Sequence, residues 1–170
     1  MAETGAVNDC HSGPFRFYSK DDRGLIMADC SFAPFFAGCA GTGQIWHWDE
    51  RYVESKNLLG LFRPFADLVE GVKLDEEDFQ PVDLSDDRVF CMLLRGKTCT
   101  LAYVRNREDS WYHTLRDGLE AQPVEEFSFP AKEENVEVFR IWPDDESEVS
   151  VCGGKAVIRN LCSGCMLRLK

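Results

Sequence analysis

From residue 88 onward the chain breaks into short runs of alternating apolar and polar residues separated by tight-turn signals, and this pattern narrows its possible folds more than any other feature. Strands are expected at 88–95, 98–105, about 124–129, 135–142, 148–152, 155–159 and 164–169. Arg95-Gly96-Lys97-Thr98 has the composition of a two-residue hairpin turn, which pairs Leu94 with Cys99 and Cys91 with Ala102. Phe90, Met92 and Leu94 then share one face with Tyr103, Leu101 and Cys99, while Cys91 and Cys99 lie on opposite faces. Gly153-Gly154 makes a second tight hairpin that pairs Val149 with Ile158 and Val151 with Ala156. Short strands, tight turns and no helical periodicity predict an antiparallel β-sandwich over 88–170 that folds by itself.

The first part of the chain follows a different pattern. Phe32, Phe35, Phe36, Cys39 and Ala40 fall at helical spacing, so a helix is expected near 24–40, with Pro34 in an early turn or at a bend. A second amphipathic helix near 57–71 carries Leu58, Leu61, Phe62, Phe65, Leu68 and Val69, with Pro64 as a kink and Gly71 close to its end. Between them Gly41-Thr42-Gly43-Gln44-Ile45-Trp46-His47-Trp48-Asp49 reads as a short buried strand. Residues two apart on a strand share a face, so Trp46 and Trp48 point one way and Ile45 and His47 the other. The indole pair has two readings, a plain core patch or a flat platform for the C–H faces of sugar rings. Loop, helix, strand, loop, helix is the order of an α/β unit whose strand expects parallel neighbours. Residues 74–87, acid-rich with one proline, read as a linker between the halves.

Charge and cysteine usage exclude several function classes. The net charge of -11, from 19 basic and 30 acidic residues, repels phosphate backbones and anionic lipid heads, so neither nucleic acid nor a membrane is an expected partner. The start of the sequence has neither the basic residues nor the apolar run of a signal peptide. With 44% hydrophobic residues the chain has material for a core without a disulfide framework, so its 8 cysteines are expected as thiols, which favours the cytoplasm. Cys162 and Cys165 form a C-x-x-C without a second pair or a nearby histidine, so no metal and no cofactor are expected.

Taken together, Glu3-Thr4-Gly5, the apolar helix ending in Ala37-Gly38-Cys39-Ala40-Gly41-Thr42-Gly43, Trp46-His47-Trp48-Asp49 and Asn57-Leu58-Leu59 resemble the last quarter of a retaining (β/α)8-barrel glycoside hydrolase. The resemblance is to cellulase-like enzymes of glycoside hydrolase family 5 and their relatives, in which a β-sandwich often follows the barrel. It implies a mixed fold of α/β plus all-β type: an incomplete C-terminal barrel end over 1–73, the acidic linker over 74–87 and the sandwich over 88–170. It also implies Glu3 as the catalytic nucleophile, Trp46 as the aromatic floor of the sugar site with Trp48 beside it, and carbohydrate as the ligand. A retaining enzyme needs a second carboxylic acid about 5 Å from the nucleophile. In the family that acid follows an asparagine on an earlier strand, and no such pair occurs here; Lys132-Glu133-Glu134-Asn135 has the reverse order. The chain alone is therefore expected to be inactive, with the missing barrel portion, or a second copy, covering its open end. The competing expectation is a non-catalytic sandwich that binds carbohydrate or protein, with Trp111, Tyr112 and His113 as its contact loop or as a plug against the neighbouring segment.

Overall fold

The structure is a computed structural model that describes residues 6–8 and 13–170. Among the described residues, eight strands and two α-helices make three layers. In chain order they are α1 (Leu25–Phe36), α2 (Phe62–Val69), β1 (Gln80–Asp83), β2 (Val89–Arg95), β3 (Thr100–Asn106), β4 (Val124–Pro130), β5 (Val136–Arg140), β6 (Glu148–Cys152), β7 (Lys155–Leu161) and β8 (Gly164–Leu169). Five strands form one sheet in the order β1-β2-β3-β8-β5, and three form another in the order β4-β7-β6. Every strand pair is antiparallel.

Period-two alternation explains why the large sheet has two dry faces. Val89, Cys91, Leu93, Ala102, Val104, Cys165 and Leu167 point inward and meet Val124, Phe129, Ala156 and Ile158 of the small sheet, the core of a sandwich. Leu94, Cys99, Leu101, Tyr103 and Met166 point the other way and are covered by Phe32, Phe35 and Phe36 of α1 and Leu68 of α2. Cys91 and Cys99 accordingly occupy different cores. Both helices are docked on the sandwich through their apolar faces.

The hairpin at Gly153-Gly154 has the expected register, Val149 opposite Ile158 and Val151 opposite Ala156. The first hairpin does not. Arg95 pairs with Thr100 and Cys91 with Val104, so the turn is longer and the register differs by two residues. A shift of two keeps every side chain on its face, which is why the expected face partners survive the error.

Three further expectations are corrected. Residues 43–48 form no strand: the Gly43 amide bonds to the Ser31 carbonyl at 2.7 Å, and the His47 and Trp48 carbonyls accept from Val53 and Glu54 of the following turn. The segment is extended, but loop and helix-end groups take the bonds that parallel strands would supply. Gln80–Asp83, read as linker, is an edge strand paired with Arg95–Met92. Trp111–Arg116, read as loop, is a short π-helical turn in which the Ser110 hydroxyl accepts from the His113 amide at 3.4 Å.

The helices start and stop for local reasons. Asp21 accepts from the Leu25 and Ile26 amides at 2.9 and 2.8 Å, capping α1, and Gly24 turns into it at φ 71°, where a side chain would collide with Leu61 and Leu58. Pro34 lies in the last turn of α1. Pro64 lies in the first turn of α2, where a missing N–H costs nothing, directly after the 3-10 turn Leu58–Leu61. No helix among the described residues is long and apolar enough to cross a membrane.

Candidate functional site

The loop from Gly41 to Asp49 carries the feature that calls for a functional account. Ile45 and His47 are buried, while Trp46 and Trp48 are 52% and 68% exposed, so the predicted alternation holds without a strand. Beneath the loop, Phe17, Tyr18, Ile26, Met27, Tyr52, Val53 and Leu58 make a third apolar cluster that receives Ile45. The His47 ring meets Tyr18 edge-on at 5.6 Å, and its Nδ1 is buried with no hydrogen-bond partner. Tyr18 stacks on Tyr52 at 4.0 Å, and the Tyr52 hydroxyl donates to Asp21 at 2.5 Å. The floor of the loop is thus tied to the cap of α1. Burial raises the pKa values of both tyrosines far above the ordinary 10.0, so both hydroxyls are donors.

The indole pair is an exposed apolar ledge on a rigid base. Its chemistry is stacking, through ring faces and a donor N–H, and not proton transfer. The adjacent carboxylate, Asp49, is engaged by Arg51, whose amide it accepts at 3.1 Å and whose guanidinium lies 3.4 Å away. Glu3 lies outside the described residues.

The Trp111-Tyr112-His113 triplet divides. Trp111 packs against Phe15 at 5.2 Å and Phe17 at 5.9 Å, joining the sandwich to the cluster under the ledge, which is the plug role. Tyr112 stays 52% exposed, with the Arg116 guanidinium stacked 3.3 Å from its ring centre. His113 Nε2 lies 3.4 Å from the Glu120 carbonyl. Of the C-x-x-C, Cys165 is fully buried in the sandwich core, and the Cys162 thiol turns to the Asn160 carbonyl.

Sequence reasoning missed a polar knot between α1 and the sandwich. Arg105 donates to Asp29 Oδ1 at 3.0 Å, to the Ser163 carbonyl at 2.9 Å and to the Asp109 carbonyl at 2.8 Å, with the Asp109 carboxylate 3.8 Å away. Tyr103 donates to the same Asp29 oxygen at 3.1 Å, Arg23 donates to Asp109 at 2.8 Å, and the Trp142 ring lies over Arg105 at 4.3 Å. The available signal was an acid inside the apolar run of α1 and a base at the end of an apolar strand; each alone reads as a surface residue.

No protein-family model matches the sequence, and no curated protein matches it either. Among solved structures, the alpha-amylase from H. orenii is similar with a TM-score of 0.42 and 12% identity, over 79% of this chain and 27% of that one. The chain thus spans about a quarter of that protein's length. So distant a likeness fixes neither fold nor activity.

Proposed function

We propose that this chain is the C-terminal segment of a retaining glycoside hydrolase acting on O-glycosidic bonds of poly- or oligosaccharides, and that alone it does not cleave them. The observation that carries this reading is the exposure of Trp46 and Trp48 together over buried Ile45 and His47. Two large aromatics held outward on a fixed base are unfavourable in water and suit a ligand with apolar ring faces. In this reading residues 1–73 are the last strand-helix units of a barrel, and the extended segment 43–48 presents the indole pair to the sugar. Glu3 then supplies the nucleophilic carboxylate, and the upstream portion supplies the acid that protonates the leaving oxygen. The primary partner is that upstream portion, with self-association of the chain as the alternative.

The test joins the chain to upstream strand-helix units that carry an acid/base carboxylate and measures glycoside turnover. Glu3→Gln is expected to lower kcat by orders of magnitude, because it removes the attacking oxygen while keeping its size. Trp46→Ala is expected to raise KM. Full activity of Glu3→Gln would remove Glu3 from the role, and saccharide binding without turnover in the joined protein would favour a non-catalytic sandwich module.

A further inference from the structure

A cavity of about 540 Å³ opens between α1, β2, β3 and the segment 106–113, away from the residues that form the indole ledge. Small-ligand pockets span about 300–1,000 Å³, so this one has room for a mono- or disaccharide. Its apolar surface is aromatic: Phe90 is half-buried beside Tyr103 at 5.9 Å, and Tyr112 stands at the rim. Arg116 stacks on the Tyr112 ring and Trp111 meets it edge-on at 6.0 Å, and the ring is still exposed enough to take a further stacking group.

The polar part of the lining is also fixed in advance. Tyr103 and Arg105 both donate to Oδ1 of Asp29, so the carboxylate is oriented, and Oδ2 is left to a ligand or to solvent. Glu108, also in the lining, is held by the Gln122 amide, which donates to Oε2 at 2.9 Å. Asp87 adds an exposed acceptor and Arg107 adds donors, while the His113 ring lies in the wall with its Nε2 at the Glu120 carbonyl. With Arg105 already committed to Asp29 and Asp109, the remaining charged lining residues are Asp87 and Glu108 against Arg107, so the rim is slightly acidic. An anionic ligand is disfavoured there. A neutral polyol with one apolar face suits this lining: its C–H face lies on the Tyr112 and Phe90 rings, and its hydroxyls donate to the carboxylates and accept from Arg107.

The geometry points to a second saccharide site in this cavity, taking one or two rings of a neutral sugar independently of the Trp46–Trp48 ledge. The test titrates the isotope-labelled full chain with cellobiose and, separately, with maltose while amide shifts are followed. Saturable shifts in residues 87–90 and 106–113, with a common Kd on the order of a millimolar, are expected for at least one sugar. Tyr112→Ala removes an exposed stacking face and is expected to weaken that Kd about tenfold. Asp87→Ala, at an exposed position that the fold does not need, is expected to weaken it as well. The double variant Trp46→Ala/Trp48→Ala should leave these shifts in place, so loss of the ledge reading and loss of this one are separate results. Shifts confined to the ledge, a response to spermidine but to neither sugar, or unchanged affinity in both cavity variants would overturn the proposal.

Discussion

Arg105 enters the interior with its hydrogen bonds accounted for: Asp29, two carbonyls and the Asp109 carboxylate surround its guanidinium, and the Trp142 ring covers it. Burial works against its charge, and Asp29 and Asp109 more than offset this, holding its pKa above its ordinary value. Removing it takes the donors away from Asp29 and from the Ser163 and Asp109 carbonyls, so Arg105→Ala is expected to cost about 3–5 kcal/mol, read as a lowered urea midpoint. At the same scale the thiols sort by burial. Burial first, with Cys165 as neighbour, pushes Cys91 up to about 12, and burial with Asp145 pushes Cys165 up to about 12. Brief alkylation of the native chain should therefore label the exposed Cys39 and Cys152 and spare Cys91 and Cys165, which react only after unfolding. Labelling of Cys91 at the rate of Cys39 would contradict the packing of the inner core. The direction of Trp46 and Trp48 was legible in the sequence because alternation follows from extended backbone alone. The Arg105 knot was not, because its members come from segments 76 residues apart and only the packing of α1 on β3 brings them together.

Elements were legible where the pattern is local. The strands of the sandwich and the Gly153-Gly154 register follow from alternation and turn chemistry, whereas β1 did not, because acids and a proline hide a strand that pairs on one edge only. The same stretch explains the misread turn. Glu77 reaches the 96–99 turn and accepts from the Thr98 amide at 2.9 Å and from the Thr98 hydroxyl, and its own carbonyl accepts from the Lys97 amide at 3.1 Å. A side chain at Gly96 would lie 2.7 Å from the Phe79 ring and 2.8 Å from the Cys99 carbonyl, so the clasp closes only over glycine. Burial disfavours the Glu77 charge, but the bonds from Thr98 and its neighbours outweigh it and set the carboxyl below its ordinary 4.5. A carboxyl with a lowered folded-state pKa stabilises the fold above the ordinary value, and that contribution is lost as pH falls through the folded value. Glu77→Gln is therefore expected to be less stable than the parent chain at neutral pH, with the gap in urea midpoint closing below about pH 4.5. A gap that stays constant down to about pH 3 would mean the charge contributes nothing to the clasp.

At the scale of the molecule, helical periodicity marked an apolar face on α1 and on α2, but periodicity names no partner: the sheet they cover is the outer face of the sandwich itself, and Ile26 and Met27 of α1 are buried as well, in the cluster under the ledge. Phe32, Phe35 and Phe36 are buried against Tyr103 and its neighbours, with Phe36 stacked on Tyr103 at 5.4 Å. This reverses an expectation about independence. A chain cut to residues 88–170 keeps the inner core but uncovers Leu94, Leu101, Tyr103 and Met166 and loses β1 from the sheet edge. Exposing each large apolar side chain forfeits about 1.5–3 kcal/mol, and several together match the whole stability of an ordinary domain. The cut chain is therefore expected to self-associate or to lose cooperative unfolding, while the full chain unfolds in one step with helices and sandwich together. Light scattering and urea titration of the two chains test this. A monomeric 88–170 chain with a sharp unfolding transition would show that the outer sheet face needs no cover, and that the helices ride on the sandwich without supporting it.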